Sequence, residues 1–242
     1  LNEIRTAMEK YDLRQMTTTV YFDMYNDIKW YSRRGGSNAE TIRAALKIWI
    51  QAMMPVTPHT AEELWESAGF EGLVSACQLP EADAGMISAA SEYGENLIRD
   101  VMSDITEIRK IAKMEPKRIV LYTSAEWKRE VMRKGAAMLA EGELTVPGLT
   151  KACMSDDAIK RNGKAAQELA KKVAIEFPRS SPESKRPLYE TDEFSLLSSA
   201  KGFLAEETGL EVEVLSADSE GLYDPQNKAR AAAPGRPAIL LE

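Results

Sequence analysis

The chain has 242 residues, a formal net charge of −7, and 44% hydrophobic against 29% charged residues; that balance belongs to a globular protein with room for one large domain or two ordinary ones. No apolar run approaches the roughly 18 residues of a membrane span, no signal pattern opens the chain, and Cys77 and Cys153 form neither a CxxC pair nor a disulfide framework, so the expected compartment is the cytoplasm. The acidic balance excludes indiscriminate coating of nucleic acid, but its distribution is uneven: residues 1–60 carry a surplus of +2, residues 61–98 hold eight acids and no Lys or Arg, and residues 116–242 are close to neutral.

Leu1, Ile4, Met8 and Tyr11 follow helical spacing from the first residue, so the chain is expected to begin inside an element and to belong to a longer polypeptide. Met16, Val20 and Met24, flanked by Tyr21, Tyr25 and Ile28, predict a second helix running to about Arg34. Its end, KWYSRRGG (29–36), gathers Lys29, Trp30, Arg33 and Arg34. Aromatic faces stack on bases and arginines grip phosphates, so this mixture suits RNA; equally, cations favour a helix C-terminus and Gly35 is an ordinary stop signal.

Ser37 or Asn38 is a plausible N-cap for an amphipathic helix carrying Ile42, Ala45, Leu46, Trp49, Ile50 and Met53. Pro55 ends it, and Thr57-Pro58 restarts the chain in the favoured order of hydroxyl cap followed by proline at the first helical position; Thr60 with Glu63 offers a capping box instead. Pro55, Pro58, His59 and Trp65 therefore describe a helix–corner–helix. His59 is the only histidine, with no second ligand at metal spacing, and is assigned to the corner rather than to catalysis.

Residues 69–85 read as loop, and Ile98, Val101, Met102, Ile105, Ile108 and Ala112 as one stripe of a long helix that completes an antiparallel bundle. At Pro116 the pattern changes. KRIVLYT has the composition of a buried strand, Thr123 with Glu126 forms a capping box for a helix to about Glu141, and two further helices are outlined by Ala166, Leu169, Val173 and Phe177 and by Leu196, Leu197, Ala200, Phe203 and Leu204. LEVEVL (210–215) alternates as a half-buried strand, and AILL (238–241) is a third. The fold class is mainly α with α/β: a helical bundle over 1–115 followed by a small α/β module of about three strands over 116–242.

No GxGxxG or GxxxxGK[ST] loop occurs, and adjacent acid pairs such as Asp156-Asp157 point in different directions, so the chain alone is not expected to be an enzyme. The last segment, LYDPQNKARAAAPGRPAILLE, sets Lys228, Arg230 and Arg236 beside a backbone stiffened by Pro225, Pro234 and Pro237. Prolines can simply position a final strand; pre-ordering also lowers the entropic cost of binding.

PVTPHTAEELW (55–65) resembles the helical-bundle signature of the class I aminoacyl-tRNA synthetases for branched aliphatic amino acids, and by itself leaves leucyl, isoleucyl, valyl and methionyl relatives open. DPQNKARAAAPGRPAILLE looks like the C-terminal end of archaeal-type leucyl-tRNA synthetases, with Gly235 where that tail often has a bulkier residue, and PKRIVLYTSAEWK (116–128) looks like the start of their C-terminal module. The resemblance implies a C-terminal piece of an enzyme that attaches leucine to its tRNA using ATP and Mg, with the catalytic and editing domains elsewhere and no cofactor in this chain. Neither a HIGH nor a KMSKS motif is present, and KMEPK (113–117), which lacks the serine, reads as a linker. The implied partner is tRNA(Leu), held by a monomer through its stem and long variable arm: Lys29, Trp30, Arg33 and Arg34 along the stem, Lys228, Arg230 and Arg236 on phosphates, and Leu241 and Glu242 at the exposed tip of the arm. The rival expectations are a protein–protein interaction module and the equivalent region of an isoleucyl or valyl synthetase.

Overall fold

A computed structural model describes residues 1–112 and 115–242; Lys113 and Met114, the start of the KMEPK linker, lie outside the described residues. The chain forms two compact units, Leu1–Ile87 and Ser88–Glu242.

The first unit is helical: α1 Asn2–Glu9, α2 Leu13–Thr18, α3 Met24–Arg33, α4 Ala39–Met53 and α5 Pro58–Ser67. Between α2 and α3 the helix continues through a π segment, Thr19–Asp23, in which Met24 N–H reaches back to Thr19 O. A π segment passes over one carbonyl of the ladder, and the carbonyl of Val20 accepts the indole N–H of Trp49 at 2.6 Å. Two apolar clusters meet at Met53: Ile4, Ala7, Met16, Val20 and Ala52 on one side, and Ile50, Ala61, Trp65 and Val74 on the other. Asn38 caps α4 by accepting the Thr41 N–H at 2.9 Å, as its position before the apolar stripe requires.

The second unit opens with α6, Ala89–Ala112, whose buried stripe includes Leu97, Ile98, Val101 and Ile105. The sequence pattern places this helix in the bundle over 1–115; in the structure α6 packs against α11 (Pro182–Glu190) and α12 (Glu193–Thr208). Beyond it come β1 (Arg118–Thr123), α7 (Glu126–Ala140), α8 (Val146–Met154), α9 (Asp157–Lys160), α10 (Gly163–Glu176), α11, α12, β2 (Glu211–Ser216) and β3 (Ala238–Leu241). The sheet has the order β2-β1-β3, with β1 parallel to β2 and antiparallel to β3. Central β1 is covered on both faces, which is why Ile119 to Tyr122 are all apolar or aromatic and fully buried. Val120 and Tyr122 pack with Leu240, Ala229 and Ala232 of the terminal segment. Helices α7, α8 and α10 close around Val131, Leu149, Cys153, Ala170, Val173 and Phe177.

Two caps differ from expectation. Thr123 remains in β1, its hydroxyl directed to Leu215 O, and α7 is capped from a distant loop: Asp218 accepts the Glu126 N–H at 2.6 Å. A carboxylate from the end of β2 serves there because the parallel pairing brings it to the helix start, a juxtaposition invisible to local spacing. Thr57 holds the N-cap position of α5 without capping it; its hydroxyl meets Tyr21 Oη at 2.5 Å.

Candidate nucleic-acid interface

In the first unit α3 ends in a Schellman-type turn. Gly35 is left-handed (φ 85°), Gly36 N–H donates to Tyr31 O at 2.8 Å, and a side chain on Gly36 would strike the Tyr31 ring. The double glycine is thereby explained by local geometry. Of the four residues expected on this helix end, Lys29 and Arg33 are exposed and Trp30 and Arg34 are half-buried. Lys29 Nζ stands 5.9 Å from the Tyr25 ring and the Arg33 guanidinium 6.0 Å from Trp30, so cations and aromatic faces do alternate along the exposed end of α3.

The corner is structural in its details. Pro58 occupies the first turn of α5 and His59 is exposed there. Trp65 is 3% exposed, donates its indole N–H to Glu71 O at 3.1 Å and packs on Phe70 at 4.5 Å between centroids. Glu62 accepts the backbone N–H groups of Val74 (2.9 Å) and Ser75 (3.0 Å); a hydrogen bond from the Ser75 side chain, together with these two, holds its carboxyl below the usual range.

The terminal segment of the second unit is spread over two ends of the sheet rather than gathered in one patch. Ala238 pairs with Tyr122 and Leu241 with Ile119, so Arg236 lies beyond the end of β1 and Glu242 beside its start. Four residues of strand between Arg118 and Tyr122 correspond to roughly 13 Å. At the starting end Glu242 accepts the Tyr223 hydroxyl at 2.7 Å, lies 3.6 Å from Arg118, and pairs its backbone with Arg118. Leu241 is 6% exposed and belongs to the core. Lys228 turns inward, donating to Ile239 O at 3.0 Å, while Asp224 accepts the N–H groups of Lys228 and Ala229. Of the three basic residues, Arg230 and Arg236 are exposed and Lys228 is tied to β3.

Arg236 is held in place by an arrangement that sequence reasoning missed. Ala233 and Arg236 exchange backbone hydrogen bonds (2.9 and 2.7 Å) around Pro234-Gly235, a tight turn with Gly235 at φ 76°. A Cβ on Gly235 would come within 2.8 Å of Leu188 Cδ2, which accounts for glycine here. The Gly235 N–H donates to Glu193, a residue only 1% exposed whose same oxygen accepts the Tyr93 hydroxyl at 2.6 Å. Burial pushes the Glu193 carboxyl above its ordinary range, and burial together with Glu193 raises Tyr93, keeping that hydroxyl a donor. The carboxylate thus ties α6 and the head of α12 to the Arg236 turn. A glutamate beside the Asp192 N-cap gives no local signal for this, since its partners lie 100 and 42 residues away.

The comparisons bear on both units. The sequence profile of the family described as "Anticodon-binding domain of tRNA ligase" matches residues 1–121, from α1 through α6 into β1. Among curated proteins, the leucine–tRNA ligase of Methanococcoides burtonii is 37% identical over 244 residues, covering 99% of this chain and 25% of that protein. The leucine–tRNA ligases of Methanosarcina barkeri and Methanocaldococcus jannaschii are each 36% identical and cover 100% and 97% of the chain. This chain therefore spans about a quarter of the length of the curated relatives it matches. With the profile covering half the chain and these relatives matching it almost end to end, the chain belongs to the family of anticodon-binding domains of tRNA ligases.

Proposed function

We propose that the chain is the tRNA-holding C-terminal part of a leucine–tRNA ligase, gripping tRNA(Leu) by its stem and long variable arm while a catalytic part outside this chain attaches leucine with ATP and Mg. The end-to-end similarity to leucine–tRNA ligases supports the substrate, and the cytoplasm is where such a protein would act. The observation that carries the tail's role is Arg236, exposed on a turn clamped by a buried carboxylate. A-form RNA hides its major groove, so phosphates, shape and unpaired tips are what a protein reads. In this reading Arg236 and Arg230 hold phosphates, Lys29, Trp30, Arg33 and Arg34 follow the stem, and Lys228, Leu241 and Glu242 order the strand that carries the contact.

Titration with leucine tRNA, beside a transcript whose variable arm is shortened, at two salt concentrations tests this. Preference for the long arm, weakening with salt by about 0.7–0.9 log units of affinity per log unit of salt for each phosphate held, is the expected result. Equal and salt-insensitive binding overturns it in favour of a protein-docking module. The eight acids and missing cations of residues 61–98 are the feature that favours this second reading.

A further inference from the structure

An open cleft of about 1180 Å3 lies in the second unit at the carboxyl ends of the parallel strands β1 and β2, where α7 begins and the terminal segment turns toward Pro234-Gly235. In α/β sheets this is the place where ligands bind, because the loops there diverge and leave a crevice. One wall is the half-buried Trp127, with Lys128 Nζ 5.5 Å from its ring. Lys128 itself is a strut, donating to the carbonyls of Arg230 (3.0 Å) and Ala232 and so fixing the opposite wall. Arg161, Lys172 and Arg230 line the opening.

By formal charge the cleft also contains acids, but each is occupied. Glu126 pairs with Arg129 and Arg133, and Glu130 with Arg133 and Lys134. Asp156 pairs with Lys134 at 3.2 Å and caps α9, Asp218 caps α7, and Glu168 faces Lys164 at 3.7 Å. Among the described residues no acid lies within ion-pair distance of Arg161, Lys172 or Arg230. Three cations at the opening, Arg161, Lys172 and Arg230, therefore stand without an ion-pair partner among the described residues, beside an aromatic wall. That pairing matches a nucleoside phosphate: the base stacks on the indole and the phosphate meets the cations.

We propose that this cleft takes one unpaired nucleotide extruded from the bound RNA, with its base against Trp127 and its phosphates at Arg161, Lys172 and Arg230. Arg236 exchanges backbone hydrogen bonds with Ala233 on the cleft's rim, so an RNA gripped at Arg236 passes the opening. The inference rests on the tRNA reading above and adds a second contact to it.

The test uses the whole 242-residue chain. Leucine tRNA is titrated against wild type, Trp127→Ala, Trp127→Phe and the double substitution Arg161→Glu/Lys172→Glu, with Tm measured on each. Trp127→Ala should weaken binding about tenfold, Trp127→Phe should restore most of it, and the double charge reversal should weaken binding and flatten its salt dependence with Tm unchanged. The shortened-arm transcript reports whether the extruded base comes from the arm, in which case Trp127→Ala has no further effect on it. If wild type binds the tRNA and the charge reversal and Trp127→Ala bind equally well, the cleft proposal fails alone. If wild type does not bind, the tRNA reading fails and takes the cleft with it. AMP binding at Trp127, seen by fluorescence, without any effect of these variants on RNA affinity assigns the cleft to a free nucleotide and overturns the RNA source.

Discussion

Two adjacent acids at the head of α12 respond to pH in opposite senses. Glu193 is buried and its proton affinity is raised above the ordinary value of 4.5. Between that value and the raised one, the folded chain keeps a proton that the unfolded chain releases. Its contribution to stability is full below the ordinary value and is lost as pH rises through the raised one. Asp192 is the reverse: hydrogen bonds from the side chain and backbone of Ser195 lower it below 3.8. Its contribution is present above 3.8 and is lost as pH falls through the lowered value. Urea midpoints across pH should accordingly show Glu193→Gln matching or exceeding wild type at neutral pH, with the loss on that limb removed. Asp192→Ala should cost about 1 kcal/mol at neutral pH, the usual worth of an N-cap, and should flatten the acid limb. A strongly destabilised Glu193→Gln at neutral pH would mean that an ionised carboxylate does the holding.

Among elements, the junction of α2 and α3 gives the sharpest expectation. The π segment presents the Val20 carbonyl to Trp49 of α4, so the indole N–H satisfies a group left over by the helix ladder. Trp49→Phe keeps most of the apolar contact and leaves that part-buried carbonyl without its donor, for a loss of about 1–2 kcal/mol in the first unit. Chemical denaturation followed by far-ultraviolet circular dichroism measures it. No loss would mean that water replaces the indole at no cost. Nothing in TTTVYFD betrays a π segment, because the apolar positions 16, 20 and 24 still repeat at helical spacing. Helices α8, α9 and α11 give no long apolar stripe in the sequence: two are short, and PESKRPLYE carries Pro187 inside the helix. The long stripes of α4, α6, α10 and α12 were legible because each buries one continuous face.

For the whole molecule, the terminal segment separates into residues that hold the fold and residues available for a ligand. Leu241→Ala should cost about 2–4 kcal/mol through lost burial and the cavity left in the sheet. Arg236→Ala should leave the denaturation midpoint unchanged, lower affinity for long-armed leucine tRNA several-fold, and reduce the salt slope by about one. Parallel denaturation and titration of the two variants distinguish them, and an Arg236→Ala chain with unchanged affinity and slope counts against the tail's proposed role. The net charge of −7 predicts neither outcome, since local exposure and pairing decide which cations meet a phosphate.

Sequence alone determined the order and character of the main elements, the Pro55–Pro58 corner, the three strands and the family, because these follow from local periodicity, backbone chemistry and residue identity along the chain. Only tertiary structure decided that α6 groups with the second unit, that the terminal basic and acidic residues lie at opposite ends of the sheet, and that Arg161, Lys172 and Arg230 stand without acids beside Trp127. Those facts depend on strand register and on the partners taken by charges far apart along the chain. A linear reading counts charges and cannot pair them.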